Sequence, residues 1–103
     1  MVKAVFFVPK RDNGGQPFRR RQWNDLRRQL RELAGGYTEA ASVNGEWINE
    51  NGVIFQDNNR VFIVTLASWK QLPAWLELVE SVRATFEQEA IYGEINGAPE
   101  FFK

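Results

Sequence analysis

The chain has 103 residues, 44% hydrophobic and 14% aromatic, enough apolar side chain for one packed core. It holds neither Cys nor His, so disulfides, thiolate nucleophiles, imidazole bases and Cys/His metal cages are excluded, leaving carboxylate, hydroxyl, amine and guanidinium chemistry. Thirteen basic residues balance thirteen acidic ones, and a net charge near zero disfavours nucleic acid as a partner, because non-specific affinity grows with the phosphates neutralised.

Lys3 to Pro9 reads as a strand, rich in Val and Phe and apolar on both faces, that ends in a turn at Asp12-Asn13-Gly14-Gly15. A helix then starts near Pro17 or Phe18. Trp23, Leu26, Leu30 and Leu33 recur at helical spacing as its buried stripe. Arg21 with Asp25 and Arg28 with Glu32 pair at i, i+4 on its wet face, and Gly35-Gly36 stops it.

Tyr37 to Val43 is a weaker strand, and the pairs Asn44-Gly45 and Asn51-Gly52 around Glu46-Trp47-Ile48 are hairpin-type turns. Asp57-Asn58-Asn59 punctuates the chain before Arg60 to Leu66, a second strand apolar on both faces. Ser68 with Gln71 fits a capping box, and Leu72, Trp75, Leu76, Val79, Val82 and Phe86 form the stripe of a second helix running to Glu89. Ile91 to Ile95 is a short last strand, and Asn96-Gly97-Ala98-Pro99 releases the tail Glu100 to Lys103.

This order is the ferredoxin-like split pattern βαββαβ, an α+β fold with an antiparallel sheet and both helices on one face, over a single domain spanning 1–103. The two central strands, Val5-Phe6-Phe7-Val8 and Val61-Phe62-Ile63-Val64, are apolar on both sides, so the face without helices needs a cover. A second copy is the expected cover, giving a homodimer through the open sheet face or a dimeric α+β barrel. The alternative is that the hairpin from Asn44 to Asp57 or the Phe101-Phe102 tail folds over that face. No apolar run is long enough for a membrane span, and Val5 to Pro9 is closed by Lys10 and Arg11, so we expect a cytoplasmic chain with no membrane partner.

The charge is unevenly distributed. Residues 1–34 hold nine basic and three acidic residues, and the remainder holds four basic and ten acidic. Helix-to-helix compensation between an Arg-rich first helix and a Glu-rich second is the expected outcome. Alternation of strand direction brings the loop Asp12 to Phe18, the cluster Arg19-Arg20-Arg21, the hairpin with Trp47, and Gln88-Glu89 to one edge of the sheet. Three arginines at a helix N-terminus oppose the macrodipole, so they either hold an anion or pair with nearby acids. Glu46, Glu50, Asp57, Glu87 and Glu89 favour pairing.

Asp12 and Glu89 are the candidate catalytic carboxylates, although Asp12 also fits a plain turn role. Asp12, Asn13, Arg19, Arg20, Arg21, Trp47 and Gln88 are the candidate ligand-binding residues. No metal-ligand spacing, phosphate loop or nucleophile elbow occurs, so no metal or cofactor is expected.

The pattern Val8-Pro9, Asp12-Asn13, Gly15, Pro17-Phe18, Gly36, Gly45-Glu46-Trp47, Trp75 and Phe86-Glu87-Gln88-Glu89 resembles a set of uncharacterised small bacterial proteins of about this length. They share the VP-x-x-DN-x-G-x-PF opening and the F-x-QE near the end. In layout the chain is also similar to the dimeric α+β barrel superfamily, which includes monooxygenases and ligand-binding or degradative proteins with a cavity between sheet and helices. Three functions stay open on these grounds. The first is a homodimeric module for a small ligand, anions included; the others are a carboxylate/Arg enzyme using Asp12, Glu89 and an arginine of the 19–21 cluster, and a nucleic-acid or protein adaptor using Arg19, Arg20, Arg27 and Arg31 with Trp47.

Overall fold

A computed structural model describes all residues from Met1 to Lys103. Five strands form one antiparallel sheet: β1 (Val2–Pro9), β2 (Thr38–Ile48), β3 (Ile54–Leu66), β4 (Ile91–Ile95) and β5 (Ala98–Phe102), in the order β2-β3-β1-β4-β5. Helices α1 (Arg20–Ala34) and α2 (Leu72–Thr85) both pack on one face, which is the ferredoxin-like α+β arrangement with an added edge strand.

Register decides which side chains meet the helices. Val2, Ala4, Phe6 and Val8 lie opposite Leu66, Val64, Phe62 and Arg60, so these eight share the helix face. The core is built there, with Phe6 stacked on Phe62 at 5.4 Å between ring centroids and Trp75 edge-on to Phe6 at 6.1 Å. Trp23, Leu26 and Leu30 from α1 and Trp75, Leu78, Val79 and Val82 from α2 close it.

Several expectations from the sequence are corrected. Helix α1 starts at Arg20, not near Pro17 or Phe18. Residues 10–19 instead fold back on themselves: the Asp12 amide donates to the Gln16 carbonyl (2.8 Å), and Arg11 bridges Pro17. The Arg19 amide donates to Gln22 Oε1 (2.9 Å), a side-chain cap that sets the helix start just after Arg19.

Asn44-Gly45 is not a turn and Asp57-Asn58-Asn59 is not a break. Asn44 pairs with Asn58 and Gly45 with Asp57 inside one long hairpin, after a bulge between Ala40 and Val43. Ladder pairing outweighs the local turn preference. The turn is at Asn51-Gly52 alone, where Asn49 Oδ1 accepts from the amides of Asn51 and Val53, both at 2.9 Å, and Gly52 has φ +79°.

The capping pair before α2 is also rearranged. Ser68 Oγ accepts from the Lys70 amide (3.2 Å) and Gln71 Oε1 from the Ala67 amide (2.7 Å), so a single 3-10 turn over Trp69–Gln71 precedes the helix. Leu76 lies outside the buried stripe, because it sits one residue, about 100° of helix, past Trp75. Leu78 takes its place. The helix ends at Thr85 rather than Glu89, with Glu87 in the left-handed region (φ +53°) and the Gln88 amide donating to Arg83 O at 2.9 Å.

The C-terminal tail is strand β5 and not a released segment. Asn96 (φ +50°) and Gly97 (φ +81°) form the two-residue turn, and Pro99 is tolerated because β5 is an edge strand. Phe102 thereby reaches the helix face, 5.4 Å from the Trp75 ring. No ion pair joins α1 to α2: the acidic partners of α1 residues are Asp25 and Glu32 on α1 itself and Glu39 on β2, so helix-to-helix compensation does not occur.

The face without helices is partly covered from within the chain. The long hairpin curls until Trp47 on β2 stands 6.4 Å from Tyr92 on β4, and Phe101 packs on Tyr92 at 5.3 Å. On this face Val5 and Val61 are buried, while Trp47, Phe55 and Phe101 stay about half exposed at 50%, 53% and 56%. No helix is long and apolar enough to cross a membrane.

Candidate functional site

The end of β1, the loop that follows it, the first turns of α1 and the middle of β3 enclose a cavity of 760 Å³. Five basic side chains, Lys10, Arg11, Arg20, Arg27 and Arg60, line it against two carboxylates, Asp12 and Asp57. Phe18 and Trp23 form its apolar wall.

Arg27 and Arg60 are held by one acid. Arg27 Nε and Nη2 donate to the two Glu39 oxygens at 2.8 and 3.0 Å, and Arg60 Nη1 donates to Glu39 Oε2 at 2.9 Å. The Arg27 hydrogen bonds hold the Glu39 carboxyl below the usual carboxylate range, outweighing its partial burial, and Arg60 adds to the effect. Arg60 lies across the Trp23 ring at 4.9 Å, and its Nε is buried with no hydrogen-bond partner. One carboxylate thus serves two guanidiniums, and the charge of the second is left over.

Lys10, Arg11 and Arg20 have no carboxylate partner at all; Arg11 Nη1 donates to the Gly15 carbonyl at 3.1 Å. Asp12 is the organiser of the loop. Its Oδ1 accepts from the amides of Gly14 (2.9 Å) and Gln16 (2.8 Å), an Asx arrangement that uses that oxygen on backbone.

A second cavity, of 410 Å³, lies on the other side of the β1 end, between the curled hairpin and β4-β5. Phe7, Trp47, Tyr92 and Phe101 give it an aromatic lining, with Asn44, Asn59, Asp57 and Gln88 as its polar groups. Pro9, Asp57 and Gln88 line both cavities.

Of the residues singled out from the sequence, Asp12, Asn13, Arg20 and Gln88 line the basic cavity, and Trp47 and Gln88 the aromatic one. Arg19 caps α1 and lines neither cavity; Arg21 is exposed, 4.0 Å from Asp25. Glu89 is exposed and lines neither, so it does not share a site with Asp12. The expected pairing of the Arg19-Arg20-Arg21 cluster with Glu46, Glu50, Asp57, Glu87 or Glu89 does not form. No group of three or more acidic side chains is placed to hold a metal ion.

Sequence reasoning missed Lys10, Arg11, Arg60 and Glu39 as parts of this site, and it assigned Arg27, which lines the cavity, only to the adaptor's arginine face. The signal was present for Arg60, which alternates in phase with Phe62, Val64 and Leu66 and is therefore a cation aimed at the helix face.

The fold belongs among small ferredoxin-like α+β folds, and known structures of that class align over nearly the whole chain. A phage SAM lyase in complex with S-methyl-5'-thioadenosine is 16% identical with a TM-score of 0.68, over 96% of this chain and 84% of that one. The divalent cation tolerance protein CutA1 from Thermus thermophilus is 16% identical (TM-score 0.57; 98% and 80% covered), and CutA1 from Oryza sativa 19% identical (TM-score 0.59; 96% and 78%). At such identities the likeness is one of fold. No protein-family model and no curated protein matches the sequence.

Proposed function

We propose that the chain is a small-ligand binding module that takes a compact anion in the basic cavity. The observation that carries this reading is that three cations without carboxylate partners, Lys10, Arg11 and Arg20, converge with the under-neutralised Arg27–Glu39–Arg60 group on one cavity. Like charges gathered this way repel one another, and an anion with two or more acceptor oxygens relieves the repulsion while satisfying guanidinium donors. The cavity volume of 760 Å³ is within the range of small-molecule sites. An enzyme built on Asp12 and Glu89 has less support, since Asp12 Oδ1 holds the loop and Glu89 faces solvent.

Inorganic pyrophosphate is the direct probe. Titrated by calorimetry, it binds the wild type, binds more weakly as salt is added, and binds the double variant Lys10→Ala/Arg20→Ala at least about ten-fold more weakly. Equal affinity in the variant contradicts the reading.

The same reading seats a second copy of the chain on the open sheet face. On that face, outside the lining of the aromatic cavity, Phe55 lies opposite Trp47 on β2 and is 53% exposed, a large apolar side chain that association would bury. Light scattering behind size exclusion gives a dimer for the wild type and a monomer for Phe55→Glu. A wild-type monomer at high protein concentration sinks the dimer.

A further inference from the structure

The two cavities meet at a shared wall and differ in chemistry, and we infer that they take one bipartite ligand: a planar heteroaromatic ring in the aromatic cavity joined to a phosphate-type anion in the basic one, the chemistry of a nucleotide. This deepens the anion-binding reading and rests on it. Pro9, Asp57 and Gln88 border both cavities, so a ligand that occupies both crosses these three residues at the end of β1.

The charge asymmetry fixes the orientation. No Lys or Arg lines the aromatic cavity, and its one carboxylate is Asp57, whereas five cations line the other. A phosphate placed among the aromatics would face Asp57 with no counter-charge, and an uncharged ring placed among the cations would leave them unpaired. Only one orientation satisfies both.

The aromatic side has stacking surface to offer. Trp47 and Phe101 flank Tyr92 at ring-centroid distances of 6.4 and 5.3 Å, both tilted by about 60° to it, and each keeps about half its surface exposed. A fourth ring, Phe7, backs Tyr92 from β1 at 5.2 Å, so Tyr92 is braced on three sides. Exposed faces of Trp47 and Phe101 are therefore held in place without having a partner ring of their own beyond Tyr92.

Polar groups at the rim match a heterocycle edge. The Asn44 and Asn59 amides line the cavity, and Gln88 keeps Oε1 unused while its Nε2 donates to the Phe86 carbonyl at 2.9 Å. Asp57, in none of the ion pairs, is an acceptor for a ring amine or a sugar hydroxyl at the junction.

The test compares three probes by calorimetry on the full chain: AMP, adenosine and inorganic phosphate. AMP binds about ten-fold or more tightly than either of the others, and Trp47→Ala removes its advantage over phosphate. If AMP binds no better than phosphate, or keeps its advantage in Trp47→Ala, the bipartite ligand is overturned while the anion reading stands. If adenosine equals AMP, the two cavities are not used together and the inference falls. Absence of binding by both AMP and phosphate overturns the anion reading and this inference with it.

Discussion

Glu39→Gln lowers the stability of the fold by about 2 kcal/mol at neutral pH, below the cost of breaking a fully buried pair because the group opens onto the cavity. The substitution keeps the shape of the side chain and removes its charge. Arg27 and Arg60 are then left facing each other across a neutral amide, with side chains exposed by only 23% and 25%. The pH profile changes as well. In the folded chain the Glu39 carboxyl lies below its ordinary range, chiefly because Arg27 hydrogen-bonds it, so the unfolded chain binds its proton more readily. That contribution is fully present above the unfolded-state value and is lost as pH falls through the lower folded-state value. Urea unfolding at neutral and acidic pH therefore shows a smaller acid-side decline for Glu39→Gln than for the wild type. An unchanged midpoint and an unchanged acid decline would show that the triad contributes nothing.

Gly93→Ala costs about 3 kcal/mol, at the upper end for overpacking a filled interior. Gly93 is buried on β4, opposite Phe6 and Glu100. A Cβ there would overlap the Val5 carbonyl oxygen and come within 2.8 Å of Phe102 Cε2 and 3.3 Å of Phe6 Cα. Two of these three neighbours are backbone of the central strand, which cannot step aside as a side-chain tip does. The ring of Phe102 would have to leave Trp75, loosening β5. Gly45→Ala is the matched control. Its Cβ would meet only Trp47 Nε1, at an ordinary 3.7 Å, and its stability stays within about 0.5 kcal/mol of the wild type in the same thermal melt. Equal melting temperatures for the two variants would refute the close-approach account of Gly93.

Long-period features were legible from the residues, and competitions between local and tertiary preferences were not. The apolar runs at Val5–Val8 and Val61–Val64 place the two central strands, and the stripe Trp23, Leu26, Leu30 places α1, because each pattern has one structural reading. Asn44-Gly45 and Asn96-Gly97 carry the same dipeptide yet differ in outcome. The first is held extended by pairing with Asn58 and Asp57, while the second is the tight turn that makes β5. Nothing local separates them; the register of β3 does.

Site residues divide in the same way. Asp12, Asn13, Arg20 and Gln88 reach a common cavity because strand direction alone brings their segments to one end of the sheet. Arg21 does not join Arg20 there, since helical rotation turns successive residues about 100° apart, and Arg19 is the extended residue just before the helix. Trp47 lines the opposite side of the β1 end because the hairpin is longer than its turn signals suggested and curls over the open face. Glu39 was hidden for a different reason: an acid on a weak edge strand has no sequence mark of the two arginines that meet it in space.

The most direct measurement is a two-dimensional 15N–1H NMR titration of the labelled chain with inorganic pyrophosphate. The account predicts saturable shifts at the amides of Lys10 to Asn13, Arg20 and Gln88 and at the Arg60 Nε–H, with the far ends of both helices unmoved. Shifts scattered over exposed lysines and arginines, or none at these positions at large excess, would contradict it.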